Sequence, residues 1–174
     1  MNTRIIGGSM SDLSPFELHA LRLGKLLGNL QSIEMGARLF LDKVDVQRAS
    51  QILISLPQLK EGDWVECSPL TNGQDLRQVL ERFNKFAPEQ RIEVDQIVRL
   101  RDALAHGRVF GYGSMQVAKS LRLLKFARKE NTGKVQVVMV EDMTEKWFDE
   151  NLEFLKDALE KIRTALNWEK AALK

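Results

Sequence analysis

The chain has few of the side chains that hold metals or cross-link a fold. Its 174 residues contain one cysteine, Cys67, and two histidines, His19 and His106. An internal disulfide is excluded, and a zinc or haem site has too few soft ligands, so we expect neither metal nor cofactor. No apolar run reaches the roughly 20 residues that a bilayer span requires. The opening Met1-Asn-Thr-Arg-Ile-Ile-Gly-Gly lacks the apolar core of a secretory leader, which makes a cytoplasmic protein without membrane association the expectation. Low-complexity tracts and internal repeats are also missing. What is present is 44% hydrophobic and 29% charged residues, enough for a core and too apolar for disorder.

Start and stop signals divide the chain into elements. A tail over 1–13 precedes Ser14-Pro15-Phe16-Glu17, a capping box with proline at the first helical position, which opens a long helix to about Lys43. Its apolar positions Phe16, Ala20, Leu23, Leu27, Leu30, Ala37 and Leu41 recur at steps of four and three, broken by Glu34. Asp45 caps a second helix to about Leu56, where Pro57 ends it. A long connection follows to Gly73, in which Trp64 reads as a plug on the side of the core in preference to a base-stacking residue. A third helix covers about Gln74 to Phe86, and Pro88 starts a fourth that runs to about His106. The glycines Gly107, Gly111 and Gly113 read as a mobile loop. Leu121–Ala127 and Lys134–Val140 read as a β-hairpin, although Val117, Leu121 and Leu124 also fit a helical period. Asp142-Met-Thr-Glu145 is a further capping box, opening a last helix to about Ala171 with Phe148, Leu152, Leu155, Leu159, Ile162 and Leu166 in its seam. The expected fold is therefore mainly α: an antiparallel bundle of four to five helices, one domain over 14–174, with a loop and β-hairpin insertion at about 107–141 before the last helix.

The most informative segment is Arg99-Leu-Arg101-Asp102-Ala-Leu-Ala-His106-Gly107-Arg108. On a helical wheel Val94, Ile97, Val98, Leu104 and Ala105 fall within about 60° of Arg101, which places a guanidinium along an apolar face. A permanent charge there needs an anionic partner, an oxyanion ligand or a wet crevice. Glu34, the break in the first helix, is the named structural partner: a buried Glu34–Arg101 pair would fix helix register and nothing more. His106 lies about 140° from Arg101, one turn after Asp102, a spacing at which a carboxylate holds an imidazole in one tautomer and frees its other nitrogen for proton transfer. The plainer reading of His106 is a cap on the last carbonyls of its helix.

The string Arg101-Asp102-Ala-Leu-Ala-His106, an arginine and a polar residue followed by a histidine, resembles the signature of the HEPN domain superfamily. Arg99 fits the same signature at longer spacing. The resemblance covers the helical body, residues 14 to 107, and the last helix. It implies a metal-independent ribonuclease working as a homodimer on RNA, with Arg101 and His106 of both protomers lining one cleft and Asp102 and Arg99 in support. It also implies a toxin–antitoxin or phage-defence setting, with a cognate antitoxin or regulatory protein as partner. Some family toxins carry a modifiable tyrosine two residues after the histidine; Arg108 occupies that position here, and the nearest tyrosine is Tyr112.

Charge points the same way. The net charge is only +2, yet Arg99, Arg101, Arg108, Lys119, Arg122, Lys125, Arg128, Lys129 and Lys134 face only Asp102 and Glu130 within one segment. Such a concentration suits a phosphate backbone, and Arg108, Lys119, Arg122, Lys125 and Arg128 are the candidate RNA contacts. Two function classes follow: an endoribonuclease acting on single-stranded RNA, or a non-catalytic helical module that binds RNA or protein and uses Arg101 structurally.

Overall fold

A computed structural model describes residues 13–44, 58–111, 121–127 and 133–172. The expected helix from Asp45 to Leu56 lies outside these residues, as do Lys119, Arg128 and Tyr112. Among the described residues the chain is mainly helical, with a small antiparallel sheet ahead of the last helix. The helices are α1 (Pro15–Val44), α2 (Leu76–Phe86), α3 (Val94–His106) and α4 (Glu145–Ala172); the strands are β1 (Arg108–Gly111), β2 (Leu121–Phe126) and β3 (Val137–Met143), in the order β1-β2-β3. The antiparallel pair β2–β3 agrees with the expected hairpin at its first strand, while the second strand lies at Val137–Met143, three residues beyond the expected 134–140; the helical alternative at Leu121–Leu124 is excluded by the strand pairing.

Local caps explain most boundaries. Glu17 N–H donates to Ser14 Oγ at 3.3 Å while Ser14 N–H donates to Glu17 Oε2 at 2.8 Å, closing the expected box. The Ser14 hydroxyl, donating to Glu17 Oε2 at 2.7 Å, and after it the Ser14 N–H hold the Glu17 carboxyl below its usual pKa. A second box, missed in the sequence, opens α2: Gln78 N–H donates to Asp75 Oδ1 and Asp75 N–H to Gln78 Oε1. The last helix begins differently from expectation. Its cap is Thr144, whose Oγ1 accepts from Trp147 N–H at 3.2 Å, while Asp142 stays in β3 beside Arg122. Pro88 does not start α3 either. It forms a short 3-10 turn, Pro88–Gln90, and Asn84 then holds Ile92 through two backbone bonds of 2.9 Å, delaying α3 to Val94.

The chain divides into two compact units, residues 1–27 with 101–152 and residues 28–100 with 153–174. In the second unit the core is built from Leu30, Ile33, Ala37, Phe40 and Leu41 of α1, Val79, Leu80 and Phe83 of α2, Ile97 and Leu100 of α3, and Leu155, Ala158 and Ile162 of α4. Phe40 and Phe83 meet edge to face at 5.1 Å. The α1 seam holds at the expected Leu30, Ala37 and Leu41, which are buried, and departs from expectation in the first half of the helix, where Leu26 is buried while Phe16, Ala20 and Leu27 are exposed; Glu34 falls on the flank beside the buried Ile33. Trp64 is corrected as well, being 98% exposed rather than a plug. It follows a turn in which Gly62 adopts φ 95° and Lys60 N–H donates to Asp63 Oδ2.

In the first unit the sheet closes on its own segment of helix. Leu121 and Leu123 of β2, Met143 of β3, Ala103 of α3 and Phe148 of α4 are buried. The glycines expected to make a loop mobile instead let β1 leave α3 abruptly. A Cβ on Gly107 would sit 2.3 Å from the Ala103 carbonyl oxygen and 2.6 Å from Leu123 Cδ1. Gly107→Ala should therefore destabilise the protein by about 1–3 kcal/mol through overpacking, measured by urea denaturation; a change within experimental error would show that the junction is slack.

His19 of α1 packs edge-on against Phe148, with ring centroids 5.2 Å apart. Burial, and after it the charge of Arg22, holds its pKa below 6.5. The unfolded chain thus takes up this proton more readily than the folded one, so the stability associated with the neutral ring is complete above 6.5 and is lost as pH falls through the lowered folded pKa. His19→Gln should flatten the acid decline of Tm over this window. An equally steep decline in the variant would assign the acid sensitivity to another group.

Candidate functional site

The side chains singled out by sequence cluster in part around the α3–β1 junction. Helix α3 buries Ile97, Leu100 and Ala103, a stripe about 90° from Arg101 on the helical wheel. Arg101 is therefore not set in an apolar face. Its side chain is 48% exposed, while Val98 and Leu104 are half-buried and Ala105 is exposed. The wheel had the right period but the wrong centre, because short valine and alanine positions on the flank carried the same weight as the leucine and isoleucine that reach the core.

The expected Glu34–Arg101 pair is replaced by two others. Glu34 Oε1 accepts from Arg38 at 3.0 and 3.1 Å, and Arg101 Nη1 donates to the neighbouring Asp102 at 3.1 Å. Lys125 Nζ of β2 lies 3.8 Å from the other Asp102 oxygen, tying the end of β2 to the last turn of α3. Asp102 thus serves two cations, rather than orienting His106 as its spacing suggested. His106 is exposed at the helix terminus, and α3 is regular up to it, so Arg101 and His106 leave the same helix about 140° apart. Arg99 is exposed on α3 within the other unit.

Strand β1 continues directly from this terminus. Antiparallel partners share a face, and the register sets Arg108 opposite Leu124, with Val140 beyond it, and Phe110 opposite Arg122, with Asp142 beyond it. The reverse face holds the buried Leu121, Leu123 and Met143, so the first face is turned outward. Arg108 lies over the ring of Phe126, 5.4 Å from its centroid. Arg122 Nε donates to Asp142 Oδ1 at 2.7 Å, and this bond holds the Asp142 carboxyl below its usual pKa. Of the candidate RNA contacts, Arg108 and Arg122 share this outward face, whereas Lys125 sits on the opposite one beside Asp102. Reading 107–113 as a loop hid Phe110 from the sequence analysis, and the alternation Arg108, Val109, Phe110 was the signal available for it; Phe126 lay in an expected strand, but its contact with Arg108 depends on the pairing of β1 with β2.

Two other features are less suited to a site. A groove of about 930 Å³ along α1 in the second unit is lined by Gly28, Met35, Leu39 and Leu70, but its cation, Arg38, has all three nitrogens bonded. Trp64 stands among Glu61, Asp63 and Glu66, which repel phosphate. Among the described residues no group of three histidine, cysteine or carboxylate side chains could hold a metal ion, and no helix is long and apolar enough to cross a membrane. Comparison of the chain with protein-family models, curated proteins and solved structures returns no match.

Proposed function

We propose that the protein is a HEPN-like endoribonuclease that cleaves single-stranded RNA as a homodimer, with its helices arranged as an antiparallel bundle. The observation that carries this reading is the exposure of both Arg101 and His106 at the end of α3, beside a basic sheet face, where a large anionic ligand can reach them. The surface pair of Arg101 with Asp102 is no barrier, since exposed ion pairs contribute about 0–1 kcal/mol and exchange readily for phosphate. The chemistry needs a base for the ribose 2′-hydroxyl, an acid for the leaving 5′-oxygen and a cation for the charged phosphorane. His106 of one copy accepts the 2′-proton as the 2′-oxygen attacks phosphorus. His106 of the second copy protonates the departing 5′-oxygen, and Arg101 steadies the equatorial oxygens. The products are a 2′,3′-cyclic phosphate and a 5′-hydroxyl. The divergence of Arg101 and His106 on one helix supports the second copy, because one chain does not turn both groups to the same phosphate. A cytoplasmic toxin–antitoxin or phage-defence role, with a cognate antitoxin or regulatory protein masking the cleft, belongs to the same proposal.

One observation favours a second reading, an RNA-binding module without cleavage: Asp102 is held by Arg101 and Lys125, so the imidazole lacks the carboxylate that would orient it. The two readings part in one assay. Purified protein is incubated with end-labelled single-stranded RNA in buffer containing a chelator, and the cleavage reading expects fragments ending in cyclic phosphate. RNA that is bound but intact supports the module and overturns the nuclease.

A further inference from the structure

We infer that the outward face of the β1-β2-β3 sheet is a platform for single-stranded RNA, with Phe110 receiving a base, Phe126 seating the Arg108 guanidinium, and Arg108 and Arg122 holding phosphates. This rests on the RNA reading above and names the surface that would feed the strand to it. Phe110 is 44% exposed on an edge strand, and the register puts it on the outward face opposite Arg122, so its ring is within reach of a ligand on that face. Phe126 is half-buried under the Arg108 guanidinium, which keeps that cation extended over the sheet. The step from Arg122, opposite Phe110, to Phe126 is four residues, about 13 Å along a strand. Phe110 and the Arg108–Phe126 pair therefore address different nucleotides.

Charge complementarity selects the occupant. The face also carries Leu124 and the exposed Val140, but a wholly apolar partner would leave its two guanidiniums without anions; guanidiniums interleaved with aromatic rings are the combination that stacks bases while following a backbone. Duplex RNA offers no free base to stack, so the site selects single strands. The only carboxylate that the register places on the face is Asp142, and its exposed bond to Arg122 competes with phosphate.

The test is fluorescence anisotropy with a labelled, fully 2′-O-methylated single-stranded oligoribonucleotide. This probe lacks the attacking hydroxyl, so binding is read whether or not the protein cleaves RNA. Phe110→Leu and Phe126→Leu should each weaken binding by about 5-fold or more, while Phe110→Tyr, which keeps the ring, stays within about 2-fold of wild type. Arg108→Ala should lower the slope of log affinity against log salt by about 0.7, and Asp142→Asn should tighten binding. A 2′-O-methylated duplex should compete poorly. The inference is overturned if Phe110→Leu binds as wild type with an unchanged Tm, if duplex competes as well as single strands, or if no RNA binds at low salt. Binding that shows the aromatic requirement without any cleavage of unmodified RNA leaves the platform standing and removes the nuclease.

Discussion

Arg38→Ala is expected to destabilise the protein by about 3–5 kcal/mol, the range for removing one partner of a buried charged network. The Arg38 side chain is only 10% exposed. Its guanidinium donates to Glu34 Oε1, to the carbonyl oxygens of Pro69 and Gln74 at 2.9 and 2.6 Å, and to Asn72 Oδ1 at 3.1 Å. These contacts pin the segment before α2 onto α1. Truncation strands several acceptors at once, and each buried acceptor left without a donor costs about 1–3 kcal/mol. Arg38→Lys should fall between wild type and Arg38→Ala, because a single ammonium does not reproduce the fork that spans helix and loop. Chemical denaturation of the three proteins checks the order; an Arg38→Ala loss under about 1 kcal/mol would mean that water replaces the guanidinium without cost.

His106→Ala should reduce cleavage of single-stranded RNA by at least about 100-fold, the lower bound for losing a positioned general acid or base. Stability should change by no more than about 0.5 kcal/mol, since His106 is exposed at the end of α3. Arg101→Ala should also lose cleavage while its Tm moves little, because its side chain is half exposed and its ion pair with the neighbouring Asp102 lies at the surface. The sign of the stability change discriminates between roles: if Arg101→Met gained more than about 1 kcal/mol with cleavage intact, Arg101 would be a packing residue. Mixing wild-type protein with excess His106→Ala protein gives a sharper check. A cleft that needs both imidazoles predicts that the mixed dimer is as impaired as the His106→Ala homodimer; cleavage that falls only in proportion to the wild-type chains, in a mixture shown to exchange subunits, would count against the paired arrangement.

The contrast between Arg38 and Arg101 shows where local reading stops. The sequence argument that a guanidinium against apolar surface must find acceptors is sound, and the structure contains such a group, but at Arg38. Periodicity placed Arg101 inside because Val94, Ile97, Val98, Leu104 and Ala105 lie on its side of the wheel; of these only Ile97 is buried, and burial continues from it through Leu100 and Ala103, away from Arg101. Nothing near position 38 announces its burial, since its carbonyl partners come from residues 69–74, more than 30 positions along the chain. The same holds for β1. Gly107 and Gly111 look like freedom in one dimension and act as clearance once Leu123 and Leu121 lie against them.

The helix start at Ser14, the presence of strands near 121–127 and 134–140, and the apolar stripe of the last helix were legible because each depends on hydrogen bonds and side-chain spacing within a few residues, whereas the second strand's extension to Met143 was not. Which charge is enclosed, which carboxylate it meets and which face of the sheet looks outward are set by segments remote in the chain that meet only on folding. A side chain's dielectric surroundings belong to its neighbours in space, and a linear pattern does not contain them.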